Sequence, residues 1–423
     1  MTAAEPSEHR TGIAAAAAYG FLAFVGTTLA GQLVGFLAWL AGARAYGARL
    51  PLKLGWLYLA SFHRVGIDLT LTEPFGFGDG PEASPAGPAT YTLRIAMLSG
   101  TIVAIALLAY AGRRAARRAP GSPWVVPGIA LAYAAPIFVM SLLVTLRFPG
   151  AGVVGIGPVA WEAFALPALL ALVASAVGVL SITSFGAARV RSWLRTGARM
   201  FGAAVLLAFV GFVVLAGVRP DASGSYLRWI GRSGSAGALV ATNHLLLLPD
   251  QSLWILAPAM GSCDELGGAS PSQRTELCGR SLGERRGPGD ALANFFAFPT
   301  EPTTLPAPYL LFVLVPAGAV VAGAARSSTA GSLGARIADG AASGVVFAVL
   351  VVAGSLVSRV SIDQAGAGTL LSAGPEPVRT GLLALAWGVL GGAIGAGVFP
   401  ALPQEGVVAP GAAVPAPPSP TSV

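Results

Sequence analysis

The chain has 423 residues, of which 54% are hydrophobic and 11% are charged, and its formal net charge is +7. A soluble protein of this length needs roughly a quarter of its residues charged to cover its surface, so this composition excludes a chain folded mainly in water. The basic excess does not indicate nucleic acid, because it sits in short loops between apolar runs, where membrane insertion places it. Lys53 is the lone lysine beside many arginines, and Ala, Gly and Val are abundant. That coding bias is the one expected of a GC-rich, actinobacterial genome.

A spanning helix needs about 20 apolar residues. The first such run is 12–42, with Gln32 its one strong polar interruption. It is longer than the apolar region of a signal peptide and follows a polar Met1–Arg10, so it reads as a span. The segment 54–71 is apolar but holds His63, Arg64 and Asp68. As a span it would bury ionisable groups at high cost, so it reads as an embedded or interfacial segment anchored by Trp56 and Tyr58. Further spans are expected at 92–111, 123–146, 159–184, 200–218, 306–325, 341–358 and 379–399. Between the fifth and sixth lies a long non-spanning region, 219–304, whose part 236–260 is again apolar enough to be embedded. The Pro/Ala-rich tail 401–423 has no means of forming a core and is expected to be disordered.

The loops at 112–121, 185–199 and 326–338 hold ten arginines and no acid, whereas the loops on the other side mix both signs. The positive-inside bias therefore places both termini in the cytoplasm of a bacterial cell and the mixed-charge loops outside. The fold class expected is an all-α polytopic bundle of eight transmembrane helices with two embedded outer segments, forming one membrane domain over 1–400. The two four-helix halves, 12–184 and 200–399, read alike in element order, and each embedded segment carries one histidine, His63 or His244. Such a pattern is expected of a parallel internal repeat, with coincidence as the alternative.

Two polar sets carry the candidate chemistry. Asn243, His244, Asp250 and Gln251 lie in the second embedded segment. They could exchange a proton or hold a headgroup, or they could simply cap two short helices. His63, Arg64 and Asp68 form the second set. On a helix Arg64 and Asp68 would pair at i and i+4, serving either a headgroup contact or an interfacial anchor. Arg94 and Glu162 lie near outer helix ends, where snorkelling is expected. Cys263 and Cys278 are the only cysteines, and in an extracytoplasmic loop a disulfide is the default reading, with free thiols the alternative. Gly388–Gly392 and Gly391–Gly395 are two GxxxG patterns, which call for close helix packing, more naturally within the chain than in a dimer.

The chain has no phosphate-binding GxxxxGK[ST], no HExxH, no GxSxG and no Cys/His set with metal-ligand spacing, so no cofactor or metal is expected. The middles of the eight runs hold no Asp, Glu, Lys, Arg or His. Ion-coupled carriers place such a residue at the bilayer midplane, which weighs against proton-coupled transport.

The stretches GWLYLASFHRVGIDL at 55–69 and LPDQSLWILAPAMGSCDE at 248–265, with the arginine-ended helices, resemble the streptophobe family. These are very hydrophobic integral membrane proteins of Streptomyces and its relatives. The resemblance implies a multi-pass plasma-membrane protein and supplies no site residues. Three functions stay open: a non-enzymatic envelope scaffold or accessory protein with a lipid or protein partner on its outer face, a carrier or permease for a neutral or lipidic solute, and an enzyme acting on a lipid-linked substrate.

Overall fold

The computed structural model describes residues 6–41, 51–72, 88–148, 152–182, 187–218, 241–268, 275–278, 314–325, 332–366 and 368–398. The tail 401–423, most of the loop 73–90, much of 219–304 and the side chain of Cys278 lie outside them.

Apolar runs become helices because, away from water, each backbone amide must find its partner within its own segment. The first half contains α1 Pro6–Ala41, α2 Pro51–Phe62, β1 Ile67–Leu71, β2 Ala89–Arg94, α3 Leu98–Arg118, α4 Val125–Leu143, β3 Leu146–Phe148, β4 Val153–Pro158 and α5 Ala160–Leu180. The second contains α6 Ala187–Val218, α7 Leu248–Ala259, β5 Cys263–Gly268, β6 Thr275–Cys278, α8 Leu314–Ala325, α9 Leu333–Ser358, β7 Val360–Gln364, β8 Gly368–Pro375 and α10 Pro377–Val398. Among the described residues, six helices are long and apolar enough to cross a membrane, over 10–41, 125–143, 160–180, 189–211, 333–358 and 377–398.

The packing is inside out relative to a soluble bundle. Ala104, Ala171, Ala204 and Ala384 are completely buried, whereas Leu33, Leu143, Leu206 and Leu382 are mostly exposed. Small residues inside let backbones approach, and leucines outside suit a hydrocarbon surround. The closest approach is between α9 and α10, where a Cβ on Gly344 would fall 2.0 Å from the carbonyl oxygen of Gly388. Gly392 meets Gly340 in the same way, while Gly391 and Gly395 pack on Val320 and Val321 of α8. All four GxxxG glycines thus sit at helix contacts within the chain.

The expectation of an all-α fold is corrected. The links between helices at one end of the bundle form a single eight-stranded sheet, in the order β3-β4-β1-β2-β7-β8-β5-β6. The segment 54–71 is accordingly not one embedded helix: α2 stops at Phe62, and Ile67–Leu71 is a strand. Residues 92–94, expected at the start of a span, belong to β2.

The two halves repeat the same construction. Each pairs its strands in one order, β3-β4-β1-β2 and then β7-β8-β5-β6, and β2 joins β7 to make the sheet continuous. The registers agree over four consecutive pairs, 67–70 in the first half and 264–267 in the second, before a bulge after Thr70 shifts the first half. Ile67 faces Pro158 and Asp68 faces Gly157 in the first half, while Asp264 faces Pro375 and Glu265 faces Gly374 in the second. The helix-to-strand turns match as well. Arg64 N–H donates to Ser61 and Val65 N–H to Ala60, as Gly261 N–H donates to Pro258 and Ser262 N–H to Ala257. This correspondence pairs His63 with Met260, so His63 and His244 are not equivalent positions.

Candidate functional site

The ionisable groups of the sheet end converge on the seam where β2 meets β7. Four backbone positions are paired there, from Tyr91 opposite Gln364 to Arg94 opposite Ser361. Arg94 ends β2 and reaches across both halves. Its Nε and Nη2 donate to Glu162 Oε1 at 3.1 and 2.6 Å, and its Nη1 bonds Asp363 of β7. Glu162 is buried in the first turn of α5, and its other oxygen accepts the Gly66 N–H at 2.6 Å. Both carboxylate oxygens are therefore occupied, and hydrogen bonding to Glu162 raises the Arg94 pKa. The expectation that Arg94 and Glu162 snorkel separately is replaced by this ion pair.

Two more arginines adjoin the seam. Arg359 caps the end of α9, donating to Glu265 Oε2 at 3.0 Å and to the Pro375 carbonyl at 3.0 Å. Arg64 lies in the turn between α2 and β1, and one Nη donates at 3.5 Å to the Arg359 carbonyl. Burial lowers its pKa first, and the positive charges of Arg359 and Arg94 lower it further against the pull of Glu162. The expected Arg64–Asp68 pair is not formed, because Asp68 is in a strand. Its carboxylate instead accepts the Thr92 hydroxyl at 2.6 Å, across the β1–β2 pair.

His63 is fully ordered by its neighbours. Nδ1 lies 2.8 Å from the Leu59 carbonyl, which can only accept, so Nδ1 carries the proton. Nε2 therefore accepts from the Tyr133 hydroxyl at 2.7 Å. Burial lowers the His63 pKa to about 4, and a neutral ring with both nitrogens engaged holds α2 against α4 and offers nothing to a ligand.

The other predicted set is divided between separate contacts. Asn243 accepts the Tyr58 hydroxyl at 2.8 Å, and Asp250 accepts the Leu98 N–H at 3.1 Å. Both bonds tie the second half to the first, one through α2 and one through the start of α3. Gln251 N–H continues the helical ladder to Leu247. Burial lowers the His244 pKa and raises that of Asp250 well above the carboxylate range. Asp264 at the start of β5 is raised likewise by burial, although Arg359 pulls the other way.

Cys263 stands opposite Cys278 in the β5–β6 register, and no cysteine is free among the described residues. No group of three or more His, Cys, Asp or Glu among those residues is placed to hold a metal ion. The seam residues Arg359, Asp363 and Glu265 were not singled out as a site by sequence reasoning. The signal for Arg359 and Asp363 was a polar link of strand-like composition, VSIDQ at 360–364, standing between two apolar helices. Nothing matches this chain among protein-family models, curated proteins or solved structures.

Proposed function

We propose that this protein is an eight-span plasma-membrane protein of the streptophobe type. In this reading it serves as a non-enzymatic scaffold whose sheet faces the outside of the cell and takes a partner there. The observation that carries the reading is the continuous sheet: all eight strands come from the links that the arginine asymmetry assigns to one side. A sheet locked by β2–β7 pairing and by Arg94 bridging Glu162 and Asp363 is a rigid platform. The spans beyond those six are α3, whose last turns carry arginines, and α8 with the apolar residues that precede it. A Cys263–Cys278 disulfide fits strands that place the two residues opposite one another and an oxidising compartment.

Two features count against an enzyme acting on a lipid-linked substrate. Glu162 meets an arginine, but both its oxygens are taken by Arg94 and Gly66. Asp250 is engaged elsewhere, at the start of α3. A carrier for a neutral solute remains the second reading, supported by two similar halves whose extensive helix packings are internal to each half.

The test places a cysteine at the exposed strand position Val154 in a Cys263→Ser, Cys278→Ser background. A membrane-impermeant thiol reagent should label it in intact cells. A photo-crosslinker at Val154 should then trap one defined envelope component. Labelling only after permeabilisation would overturn the orientation. Solute uptake into proteoliposomes, with no crosslinked partner, would replace the scaffold by the carrier.

A further inference from the structure

We infer that Arg64 is the centre of a binding site for a phosphate-type oxyanion, set at the level where the helices give way to the sheet. The first observation is what Arg64 lacks. Among the described residues it takes part in no ion pair, its Nε is buried without a hydrogen-bond partner, and its one side-chain bond is the 3.5 Å contact to the Arg359 carbonyl. A guanidinium presents five donors in a fixed fork, and burying them unpaired is unfavourable.

The second observation is the company it keeps. Arg94 and Arg359 are each neutralised by carboxylates, Glu162 with Asp363 and Glu265 respectively. Arg64 is the third guanidinium of the group and, among the described residues, is the one with no carboxylate paired to it. Planar guanidinium donors match the oxygens of a phosphate monoester or diester.

The third observation comes from the repeat. Arg64 adopts a left-handed backbone with φ of 58°, the single non-glycine residue to do so among the described residues. Its counterpart in the second half is Gly261, with φ of 93°, the residue type that adopts this conformation without penalty. The turn therefore does not need arginine. In the first half the chain sustains an unfavourable conformation in order to place a guanidinium there, as happens at functional sites.

The same chemistry could come from the phosphate of an anionic lipid headgroup or from free phosphate. The site stands whether or not the sheet docks a partner. The test compares the purified full-length chain with Arg64→Gly and Arg64→Lys in detergent. Each is measured with added phosphatidylglycerol, with inorganic phosphate, and with neither. The wild type should gain a melting-temperature rise of about 3 °C or more from at least one anion. Arg64→Gly should lose that rise, and Arg64→Lys should keep part of it. A rise with lipid alone assigns a headgroup, and a rise with inorganic phosphate assigns the free anion. Arg64→Gly should melt no lower than the wild type when no anion is added. An equal rise in Arg64→Gly, no rise in the wild type, or a lower anion-free melting temperature in Arg64→Gly would each overturn the site, the last by showing a structural role.

Discussion

The two halves share a backbone and differ in chemistry. Gly66 N–H is held by Glu162 in the first half. At the matching place in the second half, Arg379 donates to the Cys263 sulfur at 3.1 Å. Val65 packs with Ala163 in an apolar cluster, where Ser262 and Thr380 share a hydroxyl hydrogen bond at 2.7 Å. Leu57 packs with Leu146 in one half, and Trp254 packs with Val360 in the other. The contacts are kept while the side chains making them change class. The architecture is thus specified by backbone geometry and close packing, and the side chains at the sheet end are left to vary.

That division predicts that packing glycines matter most. Gly344→Leu would drive a side chain into the α10 backbone, where 2.0 Å is available to a Cβ. Overpacking of this severity should cost about 3 kcal/mol or more, read as loss of the monodisperse folded species on size-exclusion chromatography. Gly178→Leu in the first half meets the Ala109 carbonyl at 2.1 Å and should fail equally. If only one half were sensitive, the shared-backbone account would break.

Next in size is the seam. Glu162→Gln leaves Arg94 with Asp363 alone and weakens a charge-assisted bond to Gly66. Removing one partner of a buried pair costs about 3–5 kcal/mol. Arg94 keeps 29% of its side chain exposed, so screening by solvent should reduce this to about 2 kcal/mol. Arg379→Gln, its counterpart position, loses a weak bond to sulfur and should cost less than about 1 kcal/mol. Thermal unfolding of the two variants in one detergent tests the ordering.

A third contrast is a slope with pH. Ile67 and Asp264 occupy equivalent strand positions opposite Pro158 and Pro375. Burial holds the Asp264 carboxyl protonated well above the ordinary range. The unfolded chain loses that proton above about pH 4, so folding takes a proton up. Stability from this group is full below the unfolded pKa and declines as pH rises towards the folded one. Asp264→Asn should flatten the decline, leaving the part due to Asp250, which is shifted in the same direction. An unchanged slope in melting temperature against pH would show Asp264 to be ionised in the folded protein.

The helices were legible in the sequence because a run of apolar residues carries its own signal. α4 and α5 fall inside the spans expected at 123–146 and 159–184. The strands were not legible, because each is short and its pairing is non-local. Leu146–Phe148 and Val153–Pro158 read as a glycine-rich link, and only the partner β1 makes them a sheet edge. The repeat was visible in element order, but the histidines suggested the wrong alignment. A better marker was Gly-Pro before a helix, at Gly157–Pro158 and Gly374–Pro375. Arg64 was visible as an ionisable residue in an apolar stretch. Its missing counterion was not, because that depended on Asp68 lying on a strand instead of one helical turn away.

The smallest expected effect isolates the turn that distinguishes the halves. Gly261→Ala places a Cβ on a backbone with φ of 93°, where open space surrounds it, so conformation alone is tested. It should cost about 1 kcal/mol. Arg64→Gly should return a similar amount, about 0.5–1 kcal/mol in the absence of an anion, by relieving the same conformation. The two changes are in different halves and should add, so the double variant should unfold at nearly the wild-type temperature. A shortfall confined to Arg64→Gly would mean that the guanidinium packs or pairs usefully without a ligand. A shortfall confined to Gly261→Ala would mean that the second turn tolerates less than its backbone suggests. Near cancellation would show that the two turns are one structural device, built with glycine where only geometry is needed and with arginine where charge is needed as well.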